Sequence, residues 1–231
     1  MEFTEEKNNH NRRSVGREFL EGIGAIFRSR YLYISIIVLA LGFQLNIASQ
    51  TYLHNYMTEG KTLPMLSDLI LDHIPFIDVS FFYDIMSLVT IFVMLVYIVV
   101  KNEYKRLPFI ILLIGIFYLT RGVFIVLTPF GNPPLFNGTG GPFNGFSNFE
   151  LGVYPSGHVG NAVMFFLLAN DKLYKWLLFV CVMLIIISLL FAHGHYSIDI
   201  FSGWFFAYAI KAFGEKYFSR FDLKASSQNL K

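Results

Sequence analysis

A single cysteine, Cys181, stands in 231 residues, and it lies inside an apolar run. That excludes a disulfide framework and any cysteine-based metal site. Charge is scarce as well: Asp, Glu, Lys and Arg make up 15% of the chain, against about a quarter in a soluble domain. The formal net charge of +2 gives no footprint for nucleic acid. The charged residues 1–30 lack an apolar stretch followed by a cleavage site, so no cleavable signal peptide is expected, and the first span is expected to serve as an uncleaved insertion signal. Lys and Arg are missing altogether between residues 122 and 171. No internal repeat is evident.

What is abundant is apolar and aromatic. Hydrophobic residues reach 55% and aromatics 18%, with 26 Phe and 13 Tyr, and the mean hydropathy is +0.52. Runs of about 20 apolar residues suffice for a helix to cross a bilayer, and aromatics gather at its interfaces. The expected fold is therefore an all-α integral membrane protein. Five runs stand out: 31–48, 81–100, 108–128, 176–192 and 198–213. A weaker run at 159–170, extended through 171–175, must cross as well if the topology is to alternate, which makes six transmembrane helices. The expected organisation is a cytoplasmic segment at 1–30, a six-span catalytic domain at 31–213 and a cytoplasmic tail at 214–231, polar and disordered from Ser219. Residues 17–30 carry Phe19, Leu20, Ile23, Ile26 and Phe27 at helical spacing, which suits either an interfacial helix or a solvated one leading into the first span.

Basic residues orient the bundle. Lys7, Arg12, Arg13, Arg17, Arg28 and Arg30 precede the first span. Lys101, Lys105 and Arg106 fall between the second and third, Lys172 and Lys175 between the fourth and fifth, and Lys211, Lys216, Arg220, Lys224 and Lys231 at the end. The alternate connections hold only Lys61. The positive-inside rule places both termini in the cytoplasm. Two polar islands then fall together on the other face: Pro155-Ser156-Gly157-His158, and His193-Gly194-His195-Tyr196-Ser197-Ile198-Asp199.

Ionisable groups at the mouths of apolar spans are costly unless something uses them. His195 and Asp199 are four apart, one turn on one face if the last span begins near Tyr196. An aspartate in that position fixes the imidazole tautomer and stabilises its cation, which leaves the other ring nitrogen to attack phosphorus. Ser156 and Gly157 open a helix whose N-terminal amides favour a phosphate, and His158 there is placed to give a proton to a leaving alkoxide and take one from an incoming hydroxyl. Arg121, toward the far end of the third span, either snorkels to the interface or holds a phosphate oxygen. His193 is the least secure member; with His195 and either Asp199 or His158 it would offer zinc ligands, but the phosphoryl reading needs neither metal nor cofactor. The connection 129–155 is long and rich in Gly, Pro and Asn, and is expected to act as a lid; Asn137-Gly138-Thr139 within it reads as a glycosylation acceptor.

These islands resemble the type 2 phosphatidic acid phosphatase (lipid phosphate phosphatase) superfamily, in the Pro-Ser-Gly-His element and the later His…Asp element. Within it the chain resembles the sphingomyelin synthase branch, through His195-Tyr196-Ser197-Ile198-Asp199, through Arg121 followed by Thr128-Pro129, and through Leu63-Pro64-Met65-Leu66-Ser67-Asp68 on to Asp72 and Pro75. The likeness runs from Leu63 to Tyr208. It departs in Pro155, which is the phosphatase spelling. It departs again where the phosphatases carry Ser-Arg six residues before the last His, since Ser188-Leu189 stand here, and the phosphatases' Lys…Arg-Pro element is absent. Fewer cations suit a phosphodiester, with one negative charge less on phosphorus than a monoester.

The resemblance implies transfer of a phosphocholine or phosphoethanolamine type of headgroup from a glycerophospholipid to ceramide or a similar lipid alcohol, through a phosphohistidine on His195. It implies substrate-binding roles for Arg121, Ser156, Gly157 and Tyr196, and for Asp68 and Asp72 a part in which a choline or ethanolamine cation is one conceivable partner. The competing expectation is a lipid phosphatase or phospholipase-C-like hydrolase that uses water. A scaffold or transporter is disfavoured, because intact His158, His195 and Asp199 argue for chemistry and because the islands lie on one face, not at the midplane.

Overall fold

The computed structural model describes residues 22–135 and 154–228. Its helices are α1 (Arg30–Thr58), α2 (Ser80–Val100), α3 (Leu107–Leu127), α4 (Gly157–Leu168), α5 (Lys172–Phe191), α6 (Ser197–Tyr217) and a short α7 (Leu223–Gln228). No strand occurs among the described residues. Residues 22–28 are also helical, with Ile26 buried and Phe27 exposed; residues 17–21 of the anticipated interfacial helix lie outside the described residues. So does 136–153, which holds most of the anticipated lid and the Asn137 acceptor.

Four helices are long and apolar enough to cross a membrane: Arg30–Thr58, Ser80–Val100, Tyr104–Leu127 and Lys172–Phe191. α6 has the length, but Lys211, Glu215 and Lys216 dilute its apolar character. α4 has only 12 residues, about 18 Å at 1.5 Å per residue, against a hydrocarbon core of about 30 Å. The extension of this span through 171–175 is not what forms. The Asp171 side chain accepts hydrogen bonds from the Leu173 and Tyr174 amides and so caps the start of α5, which takes residues 172–175 into the next helix. A helix this short, inside a bundle, must have its ends satisfied by protein. At one end the Ser156 amide donates to the Asp199 carbonyl at 3.0 Å. At the other, Arg106 Nη1 donates to the Leu168 carbonyl at 3.0 Å, and the Tyr97 hydroxyl accepts from the Asn170 amide at 3.2 Å.

α4 is the centre of the core. Val159, Ala162, Val163, Met164, Phe165 and Leu168 are all buried, among Phe117 of α3, Leu178, Val182 and Ile185 of α5 and Ala207 and Ile210 of α6. Glycine sets how closely its neighbours come. A Cβ on Gly160 would fall on the Phe117 ring, and one on Gly203 of α6 would lie 2.9 Å from the Ser156 carbonyl oxygen. Small residues let membrane helices approach in this way. Gly160→Val is therefore expected to cost about 1–3 kcal/mol or more through overpacking and to lower the thermal midpoint in detergent by several degrees; an unchanged midpoint would contradict this packing.

α1 packs along α3 rather than against α2. The seam is made of Gly42, Gly115 and Gly122, where any Cβ would press on the opposite helix, and of buried polar rungs. Ser35 Oγ donates to the Pro108 carbonyl at 2.6 Å, Asn46 Nδ2 donates to the Tyr118 carbonyl, and Ser49 Oγ donates to the Gly122 carbonyl at 2.7 Å.

The connections sort the polar groups into two ends. Lys101 pairs with Asp171 at 2.6 Å, Arg106 with Asp222 at 3.1 Å and Lys224 with Glu103 at 2.7 Å. These pairs lie where α2, α4 and α6 finish and α3 and α5 begin. They also fold the C-terminal segment back, with Phe218 and Phe221 packed on the core; through residue 228 the tail is helical or in a tight turn, where its polar composition suggested disorder. The opposite end carries both sequence islands.

Candidate active site

Each island is built by a helix start. Ser156 is the N-cap of α4, its Oγ accepting from the Val159 amide at 3.4 Å, which places His158 in the first turn. Tyr196 is the N-cap of α6, and Asp199 reaches back to accept from the Tyr196 amide at 2.9 Å. The same carboxylate oxygen lies 3.4 Å from His195 Nδ1. Asp199 is fully buried and His195 is 5% exposed. With Nδ1 turned to Asp199, Nε2 is the nitrogen left for chemistry.

His158 has an aspartate of its own. Its Nε2 lies 2.9 Å from Asp84 Oδ1, and Asp84, in the first turns of α2, is 1% exposed. The Tyr83 ring sets its edge against the same imidazole, 5.1 Å between centres. The two imidazoles stand 5.9 Å apart, nearly perpendicular at 68°. Two His–carboxylate pairs thus face one another across a gap on the scale of a tetrahedral phosphorus centre and its oxygens. The second oxygens of both carboxylates, Asp84 Oδ2 and Asp199 Oδ1, are buried without a hydrogen-bond partner, a cost consistent with the use of these charges by the site.

Arg121 supplies the fixed positive charge. Its Nε donates to the Pro155 carbonyl at 2.9 Å and its Nη1 to Asn46 Oδ1 at 2.6 Å. Gly157 makes room for it, since a Cβ there would lie 3.4 Å from Nε. The guanidinium is held beside the start of α4 and does not snorkel outward. The histidines and Arg121 open into a cavity of about 530 Å³ lined also by Gly157, Ser87, Thr90, Tyr118 and Asn161. Its outer wall is Phe43 and Ile47 of α1 and Ile91 of α2, each 40–44% exposed.

The remaining predicted residues stand behind this cavity. Ser156 and Tyr196 are buried, 0% and 1% exposed. The Tyr196 hydroxyl accepts from the Leu66 amide at 3.1 Å and donates to the Asn132 carbonyl at 3.2 Å. Asp68 accepts from the Ser197 amide at 2.6 Å and the Ser197 hydroxyl at 2.9 Å, and from the Ile70 and Leu71 amides. Burial alone would raise its carboxyl, but these donors outweigh it and hold it below the usual carboxylate range. Asp68 thus ties the 63–78 segment to the start of α6. Asp72 is exposed and donates its amide to the Asp68 carbonyl; neither aspartate lines the cavity. His193 has φ 48°, with Nε2 3.1 Å from the Ile74 carbonyl oxygen and its ring edge-on to Phe76, so it fastens the α5–α6 connection to the same segment. Among the described residues no group of three or more His, Cys, Asp or Glu is arranged to hold a metal ion.

Sequence reasoning gave Asp84 no role, although it is the only charge in its span, and the cost argument that exposed the islands applies to it equally. Asn46 and Asn161 carried no such signal, because an amide in an apolar run is common at helix contacts.

Residues 155–215 match the family model described as PAP2 superfamily, C-terminal. The match spans both islands, α4, α5 and nearly all of α6. It supports the type 2 phosphatidic acid phosphatase superfamily and an activity of the lipid phosphatase or phosphotransferase type. No curated protein matches the sequence.

Proposed function

We propose that the protein is a membrane phosphotransferase that moves a phospholipid headgroup, of the phosphocholine or phosphoethanolamine type, from a glycerophospholipid to ceramide or a similar lipid alcohol. The observation that carries the chemistry is the facing pair of His–carboxylate dyads with one guanidinium beside them. His195 Nε2 attacks the donor phosphorus in line, and the P–O bond to the glycerol breaks. The departing alkoxide takes a proton from His158. The headgroup phosphate rests on His195, a phosphoramidate. An acceptor hydroxyl then gives its proton to His158 and its oxygen attacks phosphorus, and the P–N bond breaks to release His195.

Arg121 offers one fixed positive charge to the single negative charge of a phosphodiester, whereas a monoester dianion would call for more. The half-exposed apolar wall between α1 and α2 suits lipids arriving sideways, with donor and acceptor reaching the same cavity in turn and water held back. The topology that goes with this reading has six crossings, α4 riding inside the bundle, both termini in the cytoplasm and the site on the other face. Ser156, Gly157 and Tyr196 serve the substrate by shaping the helix starts around it, and Asp68 and Asp72 by holding the neighbouring segment.

The test supplies purified protein in mixed micelles with headgroup-labelled phosphatidylcholine or phosphatidylethanolamine, with and without ceramide. Label is expected in a new lipid only when ceramide is present. Release of phosphocholine or phosphoethanolamine at the same rate without acceptor would overturn transfer and leave the hydrolase, which the superfamily match accommodates equally.

A further inference from the structure

α1 lies outside the matched residues 155–215 and outside the likeness that starts at Leu63, yet it forms one wall of the site. It runs parallel to α3, with hydrogen-bonded partners 72 or 73 residues apart from Ser35–Pro108 to Ser49–Gly122. Phe43, Asn46, Ile47 and Gln50, at helical spacing on one face of α1, all line the cavity.

Asn46 differs from the other polar rungs of the α1–α3 seam. Ser35 and Ser49 each meet an α3 carbonyl with a hydroxyl. Asn46 does the same with Nδ2, which donates to the Gly42 and Tyr118 carbonyls. Those two acceptors fix which end of the amide is which, so Oδ1 is the atom 2.6 Å from Arg121 Nη1. The other hold on Arg121 is the Pro155 carbonyl, which accepts from Nε at 2.9 Å. One acceptor alone would leave the guanidinium free to turn about that bond. Two acceptors on different nitrogens, one from α1 and one from the start of α4, fix its plane. Both are neutral, so they orient the cation without offsetting its charge as a carboxylate would. A cation oriented before the substrate arrives loses less binding free energy to ordering.

We infer that Asn46 is a positioning residue, which holds the Arg121 guanidinium in the orientation that meets the substrate phosphate and so makes α1 part of the active site. This rests on the phosphate-holding role of Arg121 and not on whether the acceptor is a lipid alcohol or water. Purified protein in mixed micelles is given two unreactive analogues of the donor phospholipid. One is a phosphonate diester, in which CH2 replaces the oxygen to glycerol and the phosphorus keeps its negative charge. The other is a phosphinate of the same shape, in which a methyl group replaces the charged oxygen. Dissociation constants are measured by displacement of a fluorescent phospholipid, and their ratio gives the preference for the anion.

Arg121→Ala is expected to remove most of that preference. Asn46→Ala should lower it about tenfold, on the scale of one hydrogen bond to a charged group, with the phosphinate bound as before. The double variant should match Arg121→Ala, since Asn46 acts only through Arg121. Asn46→Asp keeps the size of the side chain but adds a charge that competes for the guanidinium, and it should lower the preference at least as far; it reads the same ratio where the Ala variant does not fold. A preference retained in the Asn46 variants, equal weakening of both analogues, or a double variant that falls below Arg121→Ala overturns the assignment while the role of Arg121 stands. A preference retained in Arg121→Ala overturns the role of Arg121 and this inference with it.

Discussion

Replacing His195 by Ala is expected to reduce both headgroup transfer and any hydrolysis by at least about 10⁴-fold, since loss of a covalent nucleophile removes the pathway and does not merely weaken a contact. The residue is buried, so a disturbed fold is a second route to lost activity. Covalent chemistry separates the two. The unaltered protein, quenched at alkaline pH during turnover, should carry the mass of one headgroup phosphate on the peptide that contains His195, and acid should remove it, as expected for a P–N bond. Full activity in the Ala variant, or the label found on another residue, refutes the nucleophile. Asp199→Asn should cost about 10²–10⁴-fold with folding retained, because the amide can still accept from the Tyr196 amide but offers no charge to the imidazolium.

The pH dependence of that step follows from burial. Burial pushes the His195 imidazole below its ordinary value of 6.5, with the Asp199 carboxylate opposing and the nearby Arg121 and His158 adding to the push. The nucleophile must be neutral. The shift therefore keeps it neutral at pH 7, and the acid limb of the first step should appear below pH 6.5. In Asp199→Asn the opposing charge is gone, so the limb should move to still lower pH even as the maximum rate drops. A limb that moves upward instead would mean that Asp199 does not act on His195.

Much of this site was legible in the chain, for identifiable reasons. The islands at 155–158 and 193–199 stood out because ionisable groups are rare in apolar sequence, and both fall at helix starts marked locally, by Ser156 capping α4 and by Asp199 in the first turn of α6 accepting from the Tyr196 amide. The length of α4 was not legible. Nothing in residues 159–170 says that the helix stops at Leu168; it stops because Arg106 and Tyr97, more than 60 residues earlier in the chain, satisfy the groups at its end. The tail misled for a similar reason: Asp222 and Lys224 are partners of Arg106 and Glu103, although Ser219 and Arg220 beside them are exposed. Asp68 drew attention through its motif, but motif matching does not distinguish a residue that touches substrate from one that holds the start of α6. Spacing within one element was readable, and pairing between elements was not.

Asp84 is the sharpest instance of that difference, and Asp84→Asn the second large effect. An isosteric amide keeps the volume and a hydrogen bond to His158 but removes the charge that holds a proton on Nε2, the arrangement that leaves Nδ1 as the nitrogen to give and take the substrate proton. General acid–base assistance contributes about 10²–10⁴-fold, so kcat for transfer from a natural phospholipid should fall by about 10² or more while KM changes little. A merely structural role for Asp84 would lower the rate on every donor alike.

The discriminating donor is one whose leaving group needs no proton, such as a p-nitrophenyl ester of the same headgroup phosphate. Its nitrophenolate departs unaided, so the burst that reports formation of the covalent intermediate should be nearly as fast in Asp84→Asn as in the unaltered protein, and His158→Ala should behave the same way on this donor. Release from the intermediate still requires a proton to be taken from the acceptor, so steady-state turnover should remain slow in both variants. Equal losses in the burst on the two donors would remove Asp84 and His158 from proton transfer and leave only a packing role for the pair. A burst preserved on the activated donor alone assigns leaving-group protonation to His158, with Asp84 acting through it.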